Sequence, residues 1–193
     1  YAQPKIKTIG VEANKSSTPQ ACREALKEMF KLIISSDEAT VQAAVQQFKD
    51  HYFALRPDQI AFPRGANNIT GCIERRTYRN QAGEQVTTEF YKKGTPIHVR
   101  AALAYNWLRK DLDLKQYPEL RNGDKIKFLY LKEGKFKQNV IAFPDFLPKE
   151  FNLEQHIDKE LQFQKTFTDA IEPILNAIGW TSVKVNSLED FFG

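Results

Sequence analysis

Residues 15–35 read KSSTPQACREALKEMFKLIIS, and this stretch decides the fold. Ser17 or Thr18 suits an N-cap and Pro19 suits a first helical turn. Cys22, Leu26, Met29 or Phe30 and Ile33 then recur at intervals of three or four, so the spacing predicts an amphipathic helix. A second helix follows directly. Ser35 and Glu38 have the spacing of a capping box, and Val41, Val45, Phe48, Tyr52 and Leu55 form the stripe that closes against the first helix in an antiparallel hairpin.

Outward from the hairpin the pattern changes twice. On the N-terminal side, YAQPKIKTIG alternates in part and contains Pro4, which reads as an extended lead-in with Lys5 and Lys7 on one side. On the C-terminal side, residues 57–95 are punctuated by Pro57, Pro63, Gly65, Gly71, Gly83 and Gly94 between short runs such as QIAF, CIERRTY and QVTTEFY, which read as short strands and loops. PIHVRAALAYNWLRKDL returns to helix, with Val99, Leu103, Trp107 or Leu108 and Leu112 on one side. GDKIKFLYLK and NVIAFP then read as two strands joined by the turn EGKFKQ. The last long element is a helix over roughly 153–179, which Pro173 is expected to kink or split. The expected class is therefore α+β, mainly helical, with an antiparallel helix hairpin, a long C-terminal helix and a small strand-containing tip.

A chain of 193 residues with 41% hydrophobic content can bury a core without disulfides. No apolar run approaches the length needed to span a bilayer, so no membrane partner is expected. Cys22 and Cys72 are two isolated thiols, too few for a metal cluster and suited to a reducing compartment. The only methionine is Met29, inside a helical pattern, from which the chain is expected to be a piece of a longer protein. The net charge of +4 is uneven: residues 71–137 carry fifteen Lys and Arg against eight Asp and Glu, and the remainder is slightly acidic. A basic middle favours polyanions, although a solvated lysine-rich surface has the same composition.

Signatures of self-contained catalysis are missing. GxxxxGK[ST], HExxH and CxxC do not occur, and His51, His98 and His156 sit in unrelated contexts. No residue is assigned a catalytic or metal-binding role.

Three groups of residues remain as binding candidates. Lys5, Lys7 and Lys15, leading into Ser16, Ser17 and Thr18 at a helix start, supply the positive charges, hydroxyls and free N–H groups of a phosphate contact, and equally of an ordinary capped helix with solvated lysines. His98 and Arg100, two apart, share a side if extended, and with Lys92 and Lys93 they could line a basic groove. The plainer account leaves Arg100 in a surface salt bridge and Tyr105 in the core. The terminal SLEDFFG places Leu188, Phe191 and Phe192 in the hydrophobic-x-x-aromatic-aromatic arrangement with which peptides plug a pocket on a ring-shaped sliding clamp, or else forms a terminus that folds back on its own domain.

In order along the chain, YAQPKIKTIGVEANKSSTP, ANNI at 66–69, PIHVR with AYN at 104–106, GDK followed by LKEG, IAFP at 141–144, FQKTF at 163–167 and the terminal SLEDFFG resemble the C-terminal part of family B DNA polymerases of T4-like bacteriophages. The landmarks do not extend over Gly71 to Gly94. The resemblance implies that residues 1–15 are the end of the palm and its exit strand, 16–180 the thumb that grips the primer–template duplex, and 181–193 a linker and clamp-binding peptide. It implies DNA contacts from Lys5, Lys7, Lys15, Ser16, Ser17, Thr18, His98 and Arg100, and clamp contacts from Leu188, Phe191 and Phe192. Further partners are the rest of the polymerase chain and, in its palm, two divalent metal ions such as Mg, none being expected in this fragment. The parent would be a nucleotidyltransferase acting in the cytoplasm of a bacterial host, and the fragment alone would be inactive because the catalytic carboxylates lie upstream. Two rivals stay open: a stand-alone DNA- or clamp-binding accessory module, and a structural domain with a self-docked tail.

Overall fold

The computed structural model describes residues 12–132 and 138–184. The fold is α+β, and the chain divides into two compact units, one made of Tyr1–Phe62 with Lys159–Gly193 and the other of Pro63–Asp158. The second unit is therefore a contiguous insertion between two parts of the first.

In the first unit, α1 (Gln20–Ser35) and α2 (Glu38–Ala54) are joined by two residues and pack on each other through Cys22, Leu26, Met29 and Phe30 from α1 and Val41, Val45 and Tyr52 from α2. Both expected caps need correction. Pro19 itself, rather than Ser17 or Thr18, stands at the N-cap position of α1. α2 is capped by Asp37, whose carboxylate accepts the Thr40 N–H at 2.8 Å. Glu38 is drawn away from a capping box because its Oε1 accepts the backbone N–H of Thr181 at 2.9 Å. A short helix α3 (Pro57–Ile60) follows, so Ile60 ends a helical turn instead of entering a strand.

The C-terminal helix begins at Lys159, later than the pattern over 153–179 predicts, because Glu154–His156 forms a separate 3-10 turn. It runs as α5 (Lys159–Phe163), a π turn (Gln164–Thr168) and α6 (Asp169–Ala177). Pro173 lies inside α6 without splitting it, and the departure from α geometry falls in the π turn instead. The buried residues explain the shift. Phe163, Phe167, Ile171 and Leu175 repeat every four residues, a spacing that drifts by roughly 40° per step in an α-helix of 3.6 residues per turn. One wider turn offsets part of that drift and keeps the stripe on the core. There Phe48 and Phe167 lie 4.7 Å apart between ring centroids and Tyr52 and Phe163 5.1 Å. Tyr52 Oη and Thr166 Oγ1 share a hydrogen bond of 3.0 Å, and Thr166 also donates to the Gln162 carbonyl at 2.7 Å. Burial raises the Tyr52 phenol and pushes the Cys22 thiol up to about 11, so both stay neutral.

In the second unit, β1 (Phe62–Ala66), β4 (Asp124–Tyr130) and β5 (Val140–Phe143) form a sheet in the order β1-β4-β5, with β4 and β5 antiparallel. β5 is buried throughout, because α4 (Ile97–Asp111) packs on it. β2 (Ile73–Arg79) and β3 (Gln85–Tyr91) make a separate antiparallel ribbon, in register from Ile73 opposite Tyr91 to Arg79 opposite Gln85. Asn106 of α4 holds the following loop by a reciprocal pair: Nδ2 donates to the Leu120 carbonyl and Oδ1 accepts the Leu120 N–H, each at 2.9 Å. Tyr105 is fully buried and donates to the Pro118 carbonyl at 3.1 Å, which settles its place in the core.

Candidate nucleic-acid interface

Lys15 to Thr18 form one turn immediately before α1, closed by the Thr18 N–H to the Lys15 carbonyl at 3.1 Å. Lys15 and Ser16 are exposed and Ser17 is half-buried, whereas Thr18 is only 2% exposed, so its side chain faces the unit's interior. The turn thus offers one cation and one hydroxyl outward, beside a helix whose first turn carries no acidic residue. Lys5 and Lys7 lie outside the described residues, as do Leu188, Phe191 and Phe192.

His98 and Arg100 lie in the first turn of α4, not in an extended segment. Two helical residues apart are separated by roughly 200°, so the expectation that they share a side is corrected. Each finds its own surroundings. Partial burial, and then the charge of Arg64, hold the His98 imidazole below its ordinary range, which leaves it neutral at neutral pH. The Arg100 guanidinium stands 5.4 Å from the centre of the Tyr91 ring, and its buried Nε has no hydrogen-bond partner among the described residues. Lys92, upstream of the helix, donates to the Gly71 carbonyl at 2.8 Å.

Residues that pattern reading passed over organise the ANNI loop. Asn122 Oδ1 accepts the Ile69 N–H at 2.6 Å, and the Gly123 N–H donates to the Ala66 carbonyl at 2.7 Å. Asn68 takes a left-handed conformation with φ 57°, and a Cβ on Gly71 would fall 2.0 Å from the Asn68 amide oxygen. Ala66 and Ile69 are buried while Asn67 and Asn68 face solvent. The loop therefore presents two side-chain amides from a fixed base. The Asn-Gly pair before a strand is the signal that could have found this anchor.

Among the described residues no three His, Cys, Asp or Glu side chains converge to hold a metal ion, and no helix is long and apolar enough to cross a membrane.

By comparison, the chain is similar to phage DNA-directed DNA polymerases. It is 29% identical over 203 residues to the DNA-directed DNA polymerase of Enterobacteria phage T4, and 29% identical over 198 residues to that of Escherichia phage RB69. Both alignments take in the whole chain, which spans about a fifth of the length of the relatives it matches. No family model matches it.

Proposed function

We propose that this chain is the end of the palm (residues 1–15), the thumb (16–180) and the C-terminal linker and clamp-binding peptide (181–193) of a family B phage DNA polymerase. What carries the reading is the alignment of its entire length with a fifth of two phage DNA polymerases. The role is positioning. Lys5, Lys7, Lys15, Ser16 and Ser17, which precede α1 in the sequence, and His98 and Arg100 at the start of α4, meet phosphates of the primer–template duplex without reading sequence, while the buried Thr18 holds the turn from inside. Affinity then comes largely from counterion release, as copying any template requires. Leu188, Phe191 and Phe192 plug the sliding clamp, and joining two weak contacts lengthens residence on DNA through effective concentration. Nucleotidyl transfer itself, with two Mg ions, belongs to the rest of the parent chain inside the bacterial host, and the fragment alone is inactive.

The test is fluorescence anisotropy of the chain on a labelled primer–template duplex at two salt concentrations. Binding that is indifferent to sequence, weakens with salt and loses part of its salt dependence on charge reversal at Lys15 or Arg100 is expected. Absence of binding at low salt would remove the thumb from this reading and leave only the tail.

A further inference from the structure

The second unit contains a cavity of about 680 Å³ between the β2–β3 ribbon and α4, within the size range of small-ligand pockets. Phe90 and Tyr91 come to it from the ribbon, Trp107 and Leu108 from the helix, and Val140 and Ile141 from β5. A polar strut holds the ribbon in place: Trp107 Nε1 donates to Glu89 Oε2 at 3.1 Å, and the other oxygen of Glu89 accepts Arg75 Nε at 3.0 Å. Its charged lining is mixed: Arg76, paired with Glu74 at 2.8 Å, Glu89, paired with Arg75 at 2.9 Å, Lys110 and Asp111. Arg76 lies 5.2 Å over the Phe90 ring. Alternation puts Arg76, Tyr78 and Phe90 on one face of the ribbon, where Tyr78 is 52% and Phe90 41% exposed. A cavity lined by the rings of Phe90, Tyr91 and Trp107, with the Arg76 guanidinium also in its lining, has the parts of a base-stacking site.

We infer that this cavity seats an unpaired base of single-stranded DNA, stacked against the rings that line it, Phe90 among them. The inference rests on the DNA-polymerase reading for the presence of DNA, but it concerns a different strand state; the cavity adjoins the duplex contact at Arg100, whose guanidinium lies over the Tyr91 ring. Single-stranded DNA is favoured over a peptide because aromatic rings and Arg76, rather than an unbroken aliphatic groove, stand at the entrance, and every base has a face to stack.

Trp107 and Trp180 are the two tryptophans of the chain, so Trp180→Phe leaves Trp107 as the sole reporter. In that background we would titrate a short oligodeoxythymidylate and, separately, a blunt duplex of the same length, following tryptophan emission and anisotropy. Saturable quenching by the single strand alone is expected. Phe90→Ala should weaken it roughly 5- to 150-fold, the loss of one base–ring stack, and Ala104→Leu, which fills the cavity from α4, should block it; neither should change duplex affinity. No response of Trp107 to the single strand would overturn the proposal, as would equal losses for both forms of DNA in Phe90→Ala, or quenching by an aromatic peptide but not by the oligonucleotide. Should the duplex fail to bind while the single strand quenches, the thumb reading falls and this site stands.

Discussion

His98 illustrates how one position joins fold to binding. Partial burial, and then the Arg64 charge, disfavour its protonated form. Its folded pKa therefore lies below the ordinary value of 6.5. As pH falls through that value the unfolded chain takes up a proton first, so stability is lost on acidification and is unaffected above about pH 7.5. Thermal melts at descending pH should show a smaller loss for His98→Gln than for the native chain. A phosphate beside the imidazole reverses the preference, so duplex binding that uses His98 should tighten as pH falls toward 6 and lose this dependence in His98→Gln. Gly123 is a second such position. Its φ is +91° and a Cβ there would meet nothing within 4 Å, so Gly123→Ala should cost about 1–2 kcal/mol through the backbone alone, read as a lower urea midpoint at unchanged m-value. The turn at Asn122-Gly123 is legible as a dipeptide. Its hold on Ile69, 53 positions earlier, is not, because a single sequence carries no record of which loop a turn will meet.

Among the elements, the C-terminal helix shows where pattern reading ran short. Its apolar residues are legible, but the four-residue repeat fits an α-helix imperfectly, and proline, as the visible breaker, draws the expected kink to Pro173. Packing placed the irregularity at Gln164–Thr168, where Phe163 and Phe167 meet Phe48 and Tyr52. Thr166 within that turn satisfies the buried Tyr52 hydroxyl. Thr166→Val should therefore destabilise by about 1–3 kcal/mol, the cost of a buried polar group left without its partner, and adding Tyr52→Phe should recover part of the loss in equilibrium unfolding. The helix α4 tells a similar story. Its existence and bounds follow from composition, whereas His98 and Arg100 share a side only on the alternative that PIHVR is extended. A helix that begins directly after Pro96 turns them apart.

At the scale of the whole molecule, the excess of positive charge over residues 71–137 falls inside the second unit, so that asymmetry was a true sign of organisation. The division itself was hidden, since Phe62–Pro63 and Asp158–Lys159 carry no linker composition. Residues 63–158, being contiguous with their own sheet and helix, should fold when produced alone, with dispersed amide resonances and a cooperative melt. Residues 1–62 produced alone should not, because Val45, Phe48 and Tyr52 lack Phe163 and Phe167. Removing residues 187–193 should leave the melting temperature unchanged if those residues serve a partner. The inserted arrangement also sets a timetable for the newborn chain. At ribosomal speeds of about 5–20 residues per second, the near-hundred residues between the two halves of the first unit take roughly 5–20 s to emerge. For that interval the α1–α2 hairpin waits at the tunnel exit with its aromatic face uncovered, a window in which chaperones and nascent neighbours compete for Phe48 and Tyr52.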